Sequence, residues 1–366
     1  MTSTASRPEQ INAFLAEAGL AGARREPLAG DASTRLYVRL HREDGRTLIL
    51  MDQPPATESD TAPEGATVEQ RRALGYNASA CLAGGRMDAF VAVADFLRGR
   101  GLSAPAVAAF DADAGLAMVE DLGPGLYVHR IADGADEREL YGAAVDALAR
   151  LHEEPPPPVL ESRGVRWPLH RLDVLAFDTG LEPFLEWWFR YTGRPEPDAA
   201  AQAEWTSLWA PVKLIGDDGA DAFAHRDYHA ENLLWLPERE GVARVGMVDF
   251  QDAVIAHPAW DLLHLLQDAR RDVSPEVEAE MLDRYLAARP ELDRERFRRE
   301  YFALAAANAA RILGRVFARQ EVLRGTGKYA AFMPRTWRHL ERDLQEAGLH
   351  DLERWFDTHV PRETRP

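Results

Sequence analysis

Two stretches hold the residue types and spacing that a group transfer needs. Ala224-His225-Arg226-Asp227-Tyr228-His229-Ala230-Glu231-Asn232-Leu233-Leu234-Trp235 sets an acid ahead of an amide, and Val245-Gly246-Met247-Val248-Asp249-Phe250-Gln251-Asp252 ends an apolar run in a second acid. Phosphoryl transfer involves little covalent chemistry for the protein, which must supply a carboxylate to orient a hydroxyl and oxygen ligands to hold Mg²⁺ against the nucleotide phosphates. Asp227 fits the first task. Asn232 and Asp249 fit the second, with Asp249 the principal metal ligand. A lone His-Arg-Asp would read as a surface loop with incidental acids; two motifs in this order and separation favour chemistry.

Such residues need short, rigid carriers. Phe223 and Ala224 enter as a strand, Leu233-Leu234-Trp235-Leu236 leaves as another, and Pro237 to Arg244 is a polar turn into the apolar run Val245 to Val248. Two short strands joined by a turn set Asn232 and Asp249 side by side at one mouth.

Composition narrows the alternatives. The chain has 366 residues, 46% hydrophobic and 28% charged, enough for two lobes or domains. No apolar run approaches the length of a membrane helix and the polar N-terminus lacks the layout of a signal peptide, so a cytoplasmic protein with no membrane contact is expected. Cys81 is the one cysteine, which excludes an intramolecular disulfide and makes a structural zinc site improbable; it is read as a passive small residue. His257, before Pro258, has no paired ligand and reads as a turn residue. A net charge of −17 argues against a nucleic-acid surface. It also means that the cations serving a nucleotide must cluster near the cleft. A monomer is expected.

Along the chain, residues 1 to 9 read as a frayed tail, and Ile11, Phe14, Leu15 and Ala18 as a helix stopped by Gly19. Leu36-Tyr37-Val38-Arg39-Leu40 and Leu48-Ile49-Leu50-Met51 form a hairpin about Asp44-Gly45, preceded by the small-residue loop Gly30-Asp31-Ala32-Ser33. Residues 53 to 88 lack clear periodicity and suit an insertion or mobile segment better than core. Phe90, Val93, Ala94 and Leu97 restore a helical stripe, with Asp88 as cap. Strands follow at Val107 to Phe110 and Leu116 to Val119, and a strong helix spans Leu140 to Leu151. Trp167, Phe177, Phe184, Trp187, Trp188, Phe189 and Tyr191 form an aromatic-rich insert that is mostly core.

His-Arg-Asp-x-His-x-x-Asn-Leu-Leu with Val-Asp-Phe-Gln-Asp resembles the aminoglycoside phosphotransferase superfamily. Within it, Gly30-Asp31-Ala32-Ser33-Thr34-Arg35-Leu36-Tyr37, Leu50-Met51-Asp52-Gln53-Pro54-Pro55, Gln267-Asp268-Ala269-Arg270-Arg271-Asp272-Val273 and Arg311-Ile312-Leu313-Gly314 resemble the bacterial N-acetylmuramate/N-acetylglucosamine anomeric kinases. The resemblance spans nearly the whole chain. It implies an α+β, two-lobed, protein-kinase-like fold: a sheet-bearing N-lobe over residues 1–123 and a mostly helical C-lobe over 124–366, with ATP and Mg²⁺ between them. The implied reaction is phosphorylation of the anomeric hydroxyl of both amino sugars to the α-1-phosphates, in peptidoglycan recycling. An aminoglycoside or amino-alcohol phosphotransferase and a catalytically silent nucleotide-binding module are the alternatives.

The resemblance also implies roles. Ser33, Thr34 and Arg35 lie in the nucleotide-positioning loop, and Glu120 and Leu122 in a hinge whose backbone meets adenine. His225, Asp252 and Asp261 support the catalytic loop. Glu182, Trp187, Trp188, His229 and Arg311 are acceptor-binding candidates, and Glu186 is a further hydroxyl partner. A cation for the lactyl carboxylate of N-acetylmuramate is expected among Arg166, Arg190, Arg311 and Lys328. One departure stands out: where the superfamily carries a phosphate-contacting Lys this chain has Met51 or Asp52, and Arg35 is the expected substitute.

Overall fold

The computed structural model describes residues 6–28, 35–54 and 59–366. Within the expected frayed tail, residues 1–5 lie outside the described residues and Arg7 to Glu9 begin a helix, Arg7–Glu17, because Ser6 and Glu9 cap it reciprocally (Ser6 N–H to Glu9 Oε2, 2.7 Å) and Pro8 takes a first-turn place where no amide is required.

A five-stranded antiparallel sheet follows, made of β1 (Arg24–Pro27), β2 (Leu36–His41), β3 (Thr47–Asp52), β4 (Val107–Asp111) and β5 (Leu116–Glu120) in the order β1-β2-β3-β5-β4. The turn between β2 and β3 uses Gly45 at φ +80°, a conformation open to glycine at no steric cost. Alternation splits β3 between two cores. Ile49 and Met51 face the main core with Phe90 and Val93, whereas Leu50 joins Leu40, Leu116 and Met118 in a small core closed by Phe14 and Leu15 of the first helix. Asp52 is buried and accepts from Arg7 Nε at 2.9 Å.

The helix Met87–Gly99 lies on the main-core side, burying Phe90, Val93, Ala94 and Leu97. Its N-cap is Arg86, and Asp88 sits inside the first turn, so Asp88 complements the helix dipole instead of capping it. The described part of the preceding segment, residues 59–88, is anchored rather than loose. Two short helices, Val68–Leu74 and Tyr76–Ser79, are held by the buried Arg71, which donates to Ala78 O (3.1 Å), Ser79 O (3.0 Å) and Asp173 Oδ1 (3.1 Å). The partner that fixes this segment is remote in sequence, so local periodicity carries no trace of it. Cys81 is buried beside Arg71, and burial pushes its thiol up to about 11, an inert state.

After Glu120 the chain is largely helical. Among the described residues, no helix is long and apolar enough to cross a membrane. The aromatic insert packs inward: Phe184 stacks on Trp188 (5.7 Å between centroids) and on Trp205 (5.1 Å), with Trp337 and Phe356 edge-on. The helix Arg294–Arg311 continues through a π-helical stretch, Ile312–Ala318, into Arg319–Arg324. Gly314 lies so close to the helix Pro183–Thr192 that a Cβ would sit 2.4 Å from Phe184 Cα.

Candidate active site

The loop from the strand Ala222–Ala224 to the strand Leu233–Trp235 is held from below by one carboxylate. Asp261 accepts the amides of His225 (2.6 Å) and Arg226 (2.8 Å). His225 is fully buried, bonds Val248 O through Nε2 at 3.0 Å and receives the Asp227 amide on Nδ1 at 3.3 Å. Arg226 adopts φ +81° and Asp249 φ +63°, left-handed conformations that non-glycine residues hold only when the surroundings enforce them.

Antiparallel pairing of Leu233 with Met247 brings the two motifs together, and Val248 N–H donates to Asn232 O at 3.1 Å. The Asn232 amide nitrogen donates to Asp227 O at 2.9 Å, so its Oδ1 is left to act as an acceptor. Asp249 is 44% exposed and accepts from Arg35 Nη1 at 2.7 Å and Gln251 Nε2 at 3.0 Å. One amide oxygen and one accessible carboxylate make a set that fits Mg²⁺, which keeps several waters and takes one or two carboxylates plus substrate phosphates. No cluster of three or more His, Cys, Asp or Glu that could hold a metal occurs among the described residues.

Asp227 stands among cations. Burial alone would raise its carboxyl, but His229, Arg226, Arg311 and His225 more than offset that and hold it below the usual range. Burial and the Arg270 charge bring His229 down to about 4, so at neutral pH Arg226 and Arg311 supply the positive field. Arg270 Nη1 meets His229 Nε2 at 3.2 Å, which leaves the proton on Nδ1. That nitrogen is buried without a hydrogen-bond partner among the described residues, as is Nε2 of His264, whose pKa burial and then Arg311, His229 and Arg226 drive well down.

On the nucleotide side, the N–H of Glu120 is taken by Ala106 O (2.8 Å) and its side chain by Arg239 (2.6 Å). The amide of Leu122 has no partner among the described residues. Ser33 and Thr34 lie outside the described residues. Met51 is buried in the main core and Asp52 is committed to Arg7 on the opposite face, so neither replaces the absent Lys. Arg35, just ahead of β2, reaches the site through Asp249.

Several expected roles need correction. Trp188 is 1% exposed and stacked within the core, so it is no sugar platform. Trp187 is half-buried under Arg190 and Arg319. Asp252 accepts from Ala83 N–H at 2.6 Å and so anchors the segment before the helix Met87–Gly99, while the charge of Arg226 in the catalytic loop also acts on it. Glu182 is exposed as a residue, but its carboxyl is partly withdrawn from water, which together with the Asp178 charge raises its pKa. Glu186 pairs with Arg190 at 2.7 Å. Arg166 is engaged by Glu64 (2.7 Å) and Glu161 (2.8 Å), and Lys328 lies 5.8 Å from the Tyr329 ring centroid. Arg311 is the member of that group whose charge acts on Asp227. Sequence reading missed Arg226, His264 and Arg315. The signal for Arg315 was present: Arg311, Arg315 and Arg319 recur at helical spacing with no acid three or four residues away on either side.

A family model described as the phosphotransferase enzyme family, APH, matches residues 24–298. The chain belongs to this family. It is 54% identical to an N-acetylmuramate/N-acetylglucosamine kinase of Caulobacter vibrioides over 365 residues, covering 100% of each chain. Among solved structures, a choline/ethanolamine kinase family protein from Mesorhizobium loti aligns with 16% identity and a TM-score of 0.55, over 95% of this chain and 98% of its own. The GDP complex of an aminoglycoside 2′-phosphotransferase mutant aligns at 12% identity and TM-score 0.53, over 94% and 100%. These two share the fold. As a member of the family, the chain is a phosphotransferase that uses a nucleotide.

Proposed function

We propose that this phosphotransferase uses Mg·ATP to phosphorylate the anomeric hydroxyl of N-acetylmuramate and N-acetylglucosamine, giving the α-1-phosphates for cell-wall sugar recycling. One observation carries the substrate: identity of 54% to the Caulobacter kinase across the whole of both chains. The site chemistry is compatible with it. A hemiacetal hydroxyl is more acidic than an ordinary alcohol, so a positioned carboxylate suffices as base.

In this reading Asp227 orients the acceptor hydroxyl and takes its proton, held in place by the His225 and Asp261 contacts beneath the loop. Asn232 Oδ1 and Asp249 would hold the metal, which neutralises phosphate charge when bound. Arg35 reaches the same carboxylate from the sheet and takes the phosphate-contacting part that Met51 and Asp52 cannot. The Leu122 amide supports an adenine contact at the hinge.

An aminoglycoside is a polycation, and Arg226 and Arg311 around Asp227 oppose it. A silent module has no need of Asp227, Asn232 and Asp249 in this geometry. The test is incubation of the enzyme and Mg·ATP with each amino sugar, an aminoglycoside and small alcohols, with the phosphate located by phosphorus–proton coupled NMR. Phosphate on O1 of both sugars is expected. Phosphate at O6, or turnover with aminoglycosides alone, overturns the reading.

A further inference from the structure

Arg311, Arg315 and Arg319 follow one another along the π-helical stretch and its flanks, each half-buried, and none is ion-paired with a carboxylate among the described residues. This is unusual here, since most arginines of the chain, including Arg166, Arg190, Arg270, Arg271 and Arg335, do pair. Arg311 donates through Nε (3.0 Å) and Nη2 (2.8 Å) to the neutral Asn308 Oδ1. The Arg315 guanidinium lies 4.2 Å from the Tyr76 ring centroid, and that of Arg319 lies 5.5 Å from Trp187.

Removing guanidinium groups from water without a directly paired carboxylate costs free energy that an anionic ligand can offset; Asp227 acts on Arg311 and Glu186 on Arg319 only through their charge, not through an ion pair. Three such groups in a row also repel one another: Arg315 lowers the pKa of both Arg311 and Arg319, after burial has done so. The local geometry maintains the arrangement. Gly180 leaves room for the Arg311 side chain, since a Cβ there would sit 2.9 Å from Arg311 Cδ, and Gly314 seats the π-helical stretch on Phe184. π-Helical turns recur at functional sites. At the inner end, His264 Nε2 is buried within the field of Arg311 without a hydrogen-bond partner among the described residues, as is His229 Nδ1 beside it. In a chain of net charge −17, a stripe of one sign ending beside Asp227 draws in anions.

We propose that Arg311, Arg315 and Arg319 form an anion-recognition ladder that binds the carboxylate of an acidic acceptor sugar and thereby sets the preference for N-acetylmuramate over neutral N-acetylglucosamine. The inference rests on the amino-sugar kinase reading and deepens it. Arg311 supplies the inner contact, beside the hydroxyl that Asp227 orients. Arg315 and Arg319, braced on Tyr76 and Trp187, form the approach.

The test compares kcat/KM for the two sugars, with the methyl ester of N-acetylmuramate as a third acceptor. In wild-type enzyme the ester should lose about tenfold relative to the acid, as expected when a charged hydrogen-bond partner is removed. Raising salt should lower kcat/KM for the acid and not for N-acetylglucosamine. Arg315→Gln with Arg319→Gln should reduce the acid-to-neutral ratio of kcat/KM by a similar factor, and Arg311→Gln further. Because the ester comparison uses the wild-type chain, it stands even if Arg311→Gln fails to fold. Equal turnover of acid and ester, or a ratio unmoved in the double variant, overturns the ladder while leaving the kinase reading intact. Wild-type enzyme that phosphorylates neither sugar overturns both.

Discussion

At the scale of single residues, the site is defined by what holds each functional group in one orientation. Asp227 is aimed by its own backbone, whose amide meets His225 and whose carbonyl accepts from Asn232. Asp227→Asn keeps those contacts and removes the proton acceptor, so kcat should fall about 10²- to 10⁴-fold while Mg·ATP affinity by calorimetry stays near wild type. The carboxyl is depressed in the folded protein, so it is ionised at every pH above the ordinary carboxylate range and is lost only as pH falls below it. The pH profile of kcat/KM should therefore show no acid limb from Asp227 between pH 5 and 7, on the ordinary carboxylate scale of roughly 4. Arg35 spans from the sheet to Asp249. Arg35→Ala should raise the KM for ATP more than that for the sugar, and equal effects on both would remove it from the phosphate contact.

At the scale of elements, close approach of backbones sets the shape of the proposed acceptor side. The π-helical stretch Ile312–Ala318 can lie on the helix Pro183–Thr192 because Gly314 has no side chain to meet Phe184. Gly314→Ala should destabilise the fold by about 1–3 kcal/mol through overpacking, seen as a lower midpoint in urea. It should also raise the sugar KM, because Arg311 and Arg315 flank the displaced turn. The two short strands of the catalytic hairpin are a different case. Their pairing register, Leu233 with Met247, is what sets Asn232 beside Val248 and hence Asp249; both strands are continuous, largely buried apolar runs without alternation, so folding and not the local pattern fixes that register.

At the scale of the whole molecule, polar ties join the N-terminal and helical regions, among them Arg239 to Glu120 (2.6 Å) and to Ser103 (2.7 Å), Arg35 to Asp249 (2.7 Å) and Asp252 to Ala83 N–H (2.6 Å). A nucleotide bound between them adds contacts to both. Mg·ADP at a hundredfold excess over its Kd should stabilise the fold by about 2.7 kcal/mol. Thermal melts with and without Mg²⁺ measure this, and Asp249→Ala should abolish the metal-dependent part. A shift that persists undiminished in that variant would remove Asp249 as the main ligand.

Sequence alone determined those parts of the protein that depend on local order. The β2–β3 hairpin, the buried stripe of the helix Met87–Gly99 and the strand–turn–strand that carries Asn232 and Asp249 all follow from periodicity, apolar runs and turn chemistry within a short window. Family motifs supplied the function class for the same reason, since their residues are contiguous. Tertiary structure decided what depends on partners far apart in the chain. Trp188 could equally have faced a sugar or the core until Trp337 and Trp205 closed around its stack with Phe184. Composition assigned residues 53 to 88 to a loose insertion, and Asp173 gave the buried Arg71 its counter-charge. The surroundings of Asp227 are the clearest case: Arg226 and Arg311 come from separate segments, and only folding brings their charges to one carboxylate and to His264, which lies on a third.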